Sequence, residues 1–396
     1  MHVKPQGGTT RRRGRSAARR FVLTAALLAA ITTAAMAPGC GGSTQPTSTG
    51  SVAPSASATP SVSPTPPGLP PAWAAGYRDI SGGEGVVLVP ADDGARWTMQ
   101  VSGAAGALED IWFADERHGW AVGRASTILA TGDGGAHWAA QKAPGGYNDL
   151  YAVTFTDALH GWVVGGAQPV SPGIILATSD GGQTWHSQRS KGDMLYAVSF
   201  IDDQTGWAVG EFGVILATKD GGKHWKTQDP GDRNSGSFWD VTFTDARHGW
   251  IVGMTGGLRG LILATSDGGA HWTRQRAPAR HPLETVSFAD SLQGCAGGGD
   301  GLLLTTADGG ATWTRHRPRF EDEDESAVVD DFFRTVFMAD PLHITAVGQG
   351  GFVCETGDGG ASWTVRRSRT GGAAINSVFL AQQIQEAAGD TSSPSP

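Results

Sequence analysis

A heptapeptide that recurs seven times constrains this chain more than any other feature of its sequence. The clearest copy is Ser-Asp-Gly-Gly-Gln-Thr-Trp at residues 179–185. From one Asp to the next, the spacings are 41, 47, 40, 47, 41 and 50 residues. A period of this length with a fixed turn and an aromatic residue is typical of β-propeller blades. The paired residues are Asp92/Trp97, Asp133/Trp138, Asp180/Trp185, Asp220/Trp225, Asp267/Trp272, Asp308/Trp313 and Asp358/Trp363.

The ends of the repeat array are incomplete in complementary ways. Each repeat reads as four short strands joined by turns, and its first strand carries an apolar residue two positions before a Phe. The first heptapeptide lacks such a strand, whereas Asn376–Leu380 has no further strands behind it. We therefore expect Asn376–Leu380 to be the inner strand of the blade built from residues 76–100, which closes the ring and removes exposed edges. The predicted fold is all-β, a seven-bladed propeller of four-stranded antiparallel blades in residues 74–384.

The start of the chain predicts export. Residues 1–39 carry seven positive charges and no acidic residue, and an apolar run, Phe21 to Met36, ends shortly before Cys40. This order is typical of a signal peptide, and Cys40 resembles the lipidated cysteine of a bacterial lipobox. Residues 1–40 are thus predicted to be a signal peptide and residues 41–73, rich in Ser, Thr, Pro and Gly, a disordered tether. Ordinary secretion and an uncleaved anchor are the alternatives, the export route stays open between Sec and twin-arginine, and residues 385–396 are predicted to be a disordered tail.

The charge balance bears on the class of partner. Of the 30 Lys and Arg residues, seven lie in residues 1–39, which leaves 23 basic against 38 acidic residues in the rest of the chain. Binding to nucleic acid requires a basic surface, so we predict no nucleic-acid partner. Proteins, sugars or small molecules are the expected ligands. No cofactor is predicted.

Two cysteines and three histidines follow the repeat pattern. Cys295 takes the place of a Trp and Cys354 that of a strand Leu, so both are expected to be buried, with a disulfide between them left open. His118, His160 and His248 occupy the same turn of different blades and are interpreted as structural. No metal site is predicted, because the oxygen spacing of a calcium loop is absent.

Two motifs carry a resemblance to known families. The heptapeptide is similar to the Asp box of bacterial neuraminidase repeats, in which the Asp binds its own turn and the Trp covers the hairpin. The run Asp-x-x-His-Gly-Trp, as in Asp115–Trp120, followed by Ile-Leu-Ala-Thr-x-Asp-Gly-Gly-x-x-Trp, resembles the photosystem II assembly and stability factor family. The resemblance covers residues 76–380. It implies a non-enzymatic seven-bladed propeller that binds protein partners during assembly of a membrane complex.

Loop lengths direct attention to one face of the predicted disk. The turns at the Asp boxes are short and uniform, whereas the loops at the other end of the strands vary in length, and variable loops on a rigid scaffold usually hold binding specificity. These loops carry many arginines and an acidic run at residues 321–325. They form either a solvated rim or a basic patch for an acidic protein surface or anionic group. The arginines are Arg274, Arg276, Arg280, Arg315, Arg317, Arg319, Arg366, Arg367 and Arg369.

A second group of candidate binding residues lies where the inner strands begin, at the predicted channel mouth. Aromatic residues beside carboxylates can hold a sugar, and paired carboxylates are what a glycosidase needs. The same residues can also simply fill the funnel. We predict a non-enzymatic binding or assembly module of the bacterial cell envelope, with a carbohydrate-binding or glycoside-hydrolase-like propeller as the alternative. The residues at this mouth are Asp110, Tyr151, Tyr196, Trp239, Asp240, Glu284 and Arg334.

Overall fold

The computed structural model describes residues 72–78, 83–91, 96–104, 106–146, 148–166, 172–231, 235–318, 332–367, 369–371, 373–380 and 383. The predicted signal peptide with Cys40, most of the tether, the tail, the acidic run at 321–325, Arg319 and Asp92 lie outside these residues. Among the described residues, no helix has the length and apolar character needed to cross a membrane.

The described residues form 28 strands in seven four-stranded sheets, and every neighbouring pair within a sheet is antiparallel. From blade 1 to blade 7, the inner strands are β28 (Ala373–Leu380), β4 (Leu108–Phe113), β8 (Asp149–Phe155), β12 (Leu195–Phe200), β16 (Ser235–Phe243), β20 (Leu283–Phe288) and β24 (Phe333–Met338). The second strands are β1 (Ala72–Arg78), β5 (Gly119–Gly123), β9 (Gly161–Gly166), β13 (Thr205–Gly210), β17 (Gly249–Thr255), β21 (Gly294–Gly298) and β25 (Ile344–Gly348). The third strands are β2 (Gly85–Ala91), β6 (Thr127–Thr131), β10 (Ile174–Thr178), β14 (Ile215–Lys219), β18 (Gly260–Thr265), β22 (Leu302–Thr306) and β26 (Phe352–Thr356). The outer strands are β3 (Arg96–Ala104), β7 (Ala139–Gln141), β11 (His186–Ser190), β15 (Lys226–Thr227), β19 (Thr273–Arg274), β23 (Thr314–His316) and β27 (Thr364–Arg367).

The last strand closes the ring. Strand β28 pairs antiparallel with β1, from Ala72 opposite Leu380 to Arg78 opposite Ala373. The predicted seven-bladed fold and its closure by the C-terminal strand are therefore confirmed. Strand β1 begins at Ala72, two residues before the predicted start of the propeller. The difference arises because Trp73, next to a Pro-rich segment, belongs to the blade: its indole lies 3.9 Å from the ring of Phe113.

Blades pack on one another through a repeated aromatic stack. The Trp of the Gly-Trp motif in one blade stacks on the inner-strand Phe of the next, with ring centroids 3.4 Å apart for Trp207 and Phe243 and an interplanar angle of 6°. The same indole donates a hydrogen bond from Nε1 to the carbonyl of Gly268, in the Asp box of the next blade, at 3.2 Å. Each such Trp therefore joins two blades by both apolar burial and a directed hydrogen bond.

The Asp boxes are built from hydrogen bonds within one turn. In blade 3, Oδ1 of Asp180 accepts from the Thr178 hydroxyl and the Thr184 amide, and Oδ2 accepts from the Thr184 hydroxyl. The carboxylate is thus occupied by its own turn, as the sequence predicts. The same two bonds to Oδ1, from the Thr two residues before and from the amide four residues after, recur at Asp133, Asp220, Asp267, Asp308 and Asp358.

The box Trp residues differ in environment, which corrects the single role that the sequence assigns to all seven. Four of them donate from Nε1 to a Gln side chain of the preceding blade, as Trp185 does to Gln141 at 3.0 Å, and pack edge-on against the inner-strand Phe of their own blade. Gln141 in turn donates to the box carbonyl of Gly181. These indoles therefore fasten a junction between two blades, whereas the sequence suggested only a cover for one hairpin. The four are Trp185, Trp225, Trp272 and Trp313.

The other three box Trp residues do not make this bond to Gln. Nε1 of Trp97 and of Trp138 is buried without a hydrogen-bond partner in the part of the chain that the structure describes. Trp363 donates instead to the Gly360 carbonyl of its own box at 3.2 Å, because His316 occupies the position of the Gln and offers no side-chain carbonyl. The box sequence could not show these differences, since the Gln that binds an indole lies in the preceding blade.

The two junctions of blade 7 lack the aromatic stack. Cys295 replaces the Trp at the junction between blades 6 and 7, and Thr345 replaces it at the next one. The strand register places Met338 and Leu380 at the stacking position. Phe337 and Phe379, the inner-strand Phe residues of blades 7 and 1, lie one residue away from it.

Both described cysteines are buried and free. Cys295 and Cys354 lie in one apolar cluster with residues of β24, and burial raises the pKa of both thiols. Neither forms a disulfide, a question that the sequence left open. Each fills space that a larger apolar side chain occupies in other repeats.

Candidate functional site

The propeller has two chemically different faces. In each blade whose Asp box is described, a box glycine amide donates to the turn between the first and second strands, as Gly181 does to the Leu159 carbonyl at 3.0 Å. We call the side that carries these two sets of turns the Asp-box face. The second-to-third-strand turns and the connections between blades lie at the opposite ends of the strands, and we call that side the variable-loop face. The channel mouth formed by the beginnings of the inner strands lies on the variable-loop face.

The histidines of the Asp-box face are engaged in their own turns. Nδ1 of His118, His160 and His248 lies 2.7 to 2.8 Å from a carboxylate oxygen of the Asp three residues earlier. Among the described residues, no three His, Cys, Asp or Glu side chains are placed so that they could hold a metal ion.

Asp110 and Asp240 cross-link inner strands. In each, one carboxylate oxygen accepts from the next backbone amide of its own strand and the other accepts from the inner strand of the next blade. The inter-blade distances are 2.9 Å to the Val153 amide for Asp110 and 2.9 Å to the Val286 amide for Asp240. Because both oxygens are used in this way, the two carboxylates form part of the channel wall rather than an open acid pair.

Burial changes the titration of both groups. It raises the pKa of Asp110 to about 6 and that of Asp240 to about 7, and hydrogen bonds to the carboxylates only partly offset it. These two groups therefore bind more protons in the folded protein than in the unfolded chain between about pH 4 and pH 7. Across that interval these groups make the free energy of unfolding fall as the pH rises.

Asp240→Thr is expected to reduce this pH dependence and to preserve the junction. Thr285 and Thr335 hold the same strand position, and their hydroxyls accept the corresponding inter-blade amide hydrogen bonds at 3.2 and 3.0 Å. Between pH 5 and pH 7, the slope of unfolding free energy should become less negative by at most about 1.4 kcal/mol per pH unit. Denaturant titrations at several pH values measure this slope. Identical slopes for the variant and the wild type would show that Asp240 does not titrate in this range.

The remaining residues of the mouth also pair with one another. Tyr151 and Tyr196 form an edge-to-face contact with centroids 5.2 Å apart, and the Tyr196 hydroxyl donates to Glu211 at 3.0 Å. Arg334 forms an ion pair with Glu284 at 3.2 Å. Trp239 is partly buried. The structure thus brings the predicted mouth residues to one rim, where Arg334 and Glu284 neutralise each other.

A basic pocket of about 510 Å³ lies on the variable-loop face, where the connections on either side of blade 6 meet the turn between β21 and β22. Arg317 contacts the Asp300 carboxylate, and His281 lies 3.8 Å from it. Within the described part of the chain, Arg280 and Arg315 have no acidic partner, so the pocket keeps an excess of positive charge. Its lining residues are Arg280, His281, Asp300, Arg315, His316 and Arg317.

His316 contributes a neutral wall to the basic pocket. Burial lowers the pKa of its imidazole, and Nε2 lies 2.8 Å from the Thr305 hydroxyl. His316 therefore adds little to the positive charge of the pocket, which its guanidinium groups supply. Two exposed guanidinium groups on one concave wall suit a carboxylate or another planar anion, because each presents a fork of N–H donors.

The structure gathers only part of the predicted arginine set. Arg280, Arg315 and Arg317 line the pocket, whereas Arg366 is paired with Glu355 on the neighbouring strand. The other described members, outside the pocket lining, are Arg274, Arg276, Arg367 and Arg369.

Sequence reasoning missed three of the pocket residues. His281 lies in the connection before blade 6, Asp300 in the turn between β21 and β22, and His316 at the end of β23, so the folding of blade 6 brings them together. The one available signal was Gly297-Gly298-Gly299-Asp300, a run without counterpart in the other repeats.

Comparison with known families adds to this geometry. Residues 89–191, 146–237 and 232–321 match the sequence profile of the family described as photosynthesis system II assembly factor YCF48. Together these matches span more than half of the chain. The chain belongs to the YCF48 family. A comparison with curated proteins finds no match.

Solved structures agree with the propeller fold of this YCF48-family chain. YCF48 from Cyanidioschyzon merolae has 19% identity and a TM-score of 0.51, covering 69% of this chain and 94% of that one. A structure of YCF48 bound to D1 peptide has 20% identity and a TM-score of 0.48, with coverage of 65% and 80%. Sqt1 from Saccharomyces cerevisiae has 12% identity and a TM-score of 0.53, with coverage of 79% and 93%. At these identities the two likenesses with a TM-score above 0.5 concern the fold alone.

Proposed function

We propose that this chain is a non-enzymatic binding module that holds a protein partner on its variable-loop face during assembly of a membrane complex in the bacterial cell envelope. Its membership of a family described as an assembly factor is the observation that carries this proposal. The basic pocket supports it, since Arg280 and Arg315 line a concave surface and have no acidic partner among the described residues. An acidic patch on the partner is the complementary surface.

The proposal includes the position of the module in the cell. The basic and apolar start of the sequence followed by Cys40 supports export and lipid attachment at that cysteine. The Ser, Thr, Pro and Gly-rich residues after Cys40 then supply reach between the lipid and the propeller. An extracytoplasmic module held at a membrane in this way meets membrane-embedded partners at high effective concentration.

Charge reversal in the pocket tests the proposed function. The variant Arg280→Glu/Arg315→Glu is expected to lower partner capture from detergent-solubilised membranes of the producing cells at least about tenfold, because two attractive charges become repulsive. Both side chains are exposed, so the melting temperature should stay within about 2 °C of the wild type.

A matched control carries the same change of charge on the other face. Lys219→Glu/Lys223→Glu reverses two exposed charges at the Asp box of blade 4 and should leave capture unchanged. Proteins retained by the wild type and the control, but lost from the pocket variant, are the partners the proposal requires. Equal capture by all three proteins would contradict it.

A further inference from the structure

Backbone strain is concentrated on the variable-loop face. Among the described residues, the non-glycine residues with left-handed backbone conformation all lie in turns between a second and a third strand. On the Asp-box face, the described positions of this kind are glycines, such as Gly181 and Gly182. Side chains other than glycine are disfavoured in this conformation, and such strain tends to persist at functional sites. The five strained residues are Ala125, Ser126, Phe212, Leu258 and Asp300.

Two of these strained residues also place large apolar side chains in water. Phe212 has φ +52° and is 72% exposed, and Leu258 has φ +61° and is 50% exposed. Neither strain nor exposure helps the isolated fold, because glycine would be less strained and a polar residue better solvated at either position. The combination therefore indicates that these side chains are used for contact with another molecule.

Both turns are held firmly. Glu211 receives a hydrogen bond from the Tyr196 hydroxyl and accepts another at its carbonyl from the Val214 amide at 3.1 Å, which fixes the turn of Phe212. The Leu258 amide donates to the Thr255 carbonyl at 2.9 Å. Side chains presented on such turns lose little conformational freedom on binding, which favours affinity.

The apolar side chains lie on the same face as the basic pocket. Gly260, two residues after Leu258, packs so closely on Ala279 and His281 that a Cβ there would lie 2.5 Å from the Ala279 methyl. The ring of Phe332, 44% exposed, lies so close to Gly299 that a Cβ there would be 3.1 Å from a ring carbon and 3.4 Å from the His281 Cβ. Phe212, Leu258 and Asp300 occupy the corresponding turns of the consecutive blades 4, 5 and 6 on the variable-loop face. We call the apolar and cationic groups of these blades and of the start of blade 7 the anchor ridge: Phe212, Leu258 and Phe332 with Arg280 and Arg315.

We propose that the anchor ridge docks an acidic protein segment that carries apolar side chains. The carboxylates of this segment face Arg280 and Arg315, and its apolar side chains cover Phe212 and Leu258. Charge complementarity favours an acidic occupant, and the flanking apolar residues add the desolvated contacts that dominate the binding energy of interfaces. This inference rests on the proposed function and specifies the chemistry of the partner.

A peptide selection tests the anchor ridge with a defined probe. The full chain is immobilised and used to select from a phage-displayed library of random twelve-residue peptides. Enriched peptides should combine Asp or Glu with Leu, Phe, Trp or Tyr. In fluorescence polarisation, Phe212→Ser/Leu258→Ser should weaken their binding at least about tenfold. Leu159→Ser/Leu292→Ser, which alters leucines that are 52% and 53% exposed on the Asp-box face, should leave it unchanged.

Further outcomes separate this inference from the proposed function. If the arginine reversal abolishes partner capture but Phe212→Ser/Leu258→Ser does not weaken peptide binding, the anchor ridge is refuted and the proposed function stands. Enriched peptides without acidic residues would also refute it. A third outcome would refute it as well: the chain binds vesicles of phosphatidylglycerol and phosphatidylcholine through Phe212 and Leu258 but binds no peptide. The surface would then serve a membrane.

A single-residue variant distinguishes binding from structural support. Phe212→Gly relieves the left-handed strain, so the melting temperature should be equal to or higher than that of the wild type, while affinity for the selected peptides falls. A lower melting temperature with unchanged peptide affinity would show that Phe212 serves the fold and would contradict its role as an anchor.

Discussion

Ending the chain at residue 372 is expected to abolish the cooperative unfolding transition of the propeller. This truncation removes β28, and with it the inner strand of blade 1 and every backbone pair on that side of β1. Ile375, Val378, Phe379 and Leu380 are buried at this position. Burial of each such side chain contributes about 1.5 to 3 kcal/mol, so their combined loss is comparable to the whole stability of a typical domain.

The matched control for the truncation ends at residue 384, which removes only the predicted disordered tail. Its melting temperature should lie within about 1 °C of the full chain. Calorimetry and near-ultraviolet circular dichroism of both proteins measure the difference. If the chain ending at residue 372 unfolded cooperatively at the wild-type temperature, the closure by β28 would not be needed for the ring.

Trp207→Ala is expected to lower the free energy of unfolding by about 3 to 5 kcal/mol, the usual range for removal of a buried Trp. The indole is 1% exposed, stacks on Phe243 and donates to the Gly268 carbonyl. Alanine leaves a cavity at the junction of two blades, and it leaves that carbonyl without one of its two side-chain donors, the other being Gln228.

The same substitution at Trp239 provides the control. This side chain is only partly buried at the channel mouth, so Trp239→Ala should cost about 1 kcal/mol or less. Equilibrium unfolding in guanidinium chloride compares the two variants. Equal losses at the two positions would show that the aromatic stack contributes nothing particular to the joining of blades.

The fold could be predicted because one physical unit repeats. Each copy must bury one face against the next copy, so the same turn and the same aromatic residues return at a fixed period. The complementary ends of the array were sufficient to predict the pairing of β28 with β1. Local details could not be predicted where the repeat varies: Phe337 and Phe379 have the residue type that stacks in other blades, but the strand register places Met338 and Leu380 at the junctions.

For the candidate site, the sequence could predict which face of the propeller carries it but not which residues form it. Loop lengths pointed to the variable-loop face, but the sequence does not determine the direction of a side chain at the end of a strand. The sequence thus could not show that Arg366 pairs with Glu355, whereas Arg280 and Arg315 line the pocket. The left-handed conformations of Phe212 and Leu258 could not be predicted either, because the sequence at both positions offers no glycine or asparagine.

Hydrogen–deuterium exchange of the full chain, with and without its captured partner, tests most directly whether function resides on the variable-loop face. Binding is predicted to slow exchange in residues 254–260, 276–282 and 299–301, which form the turn of Leu258 and the walls of the basic pocket. Exchange in the Asp-box turns, such as residues 157–160, should stay unchanged. Slower exchange confined to the Asp-box turns would contradict the account.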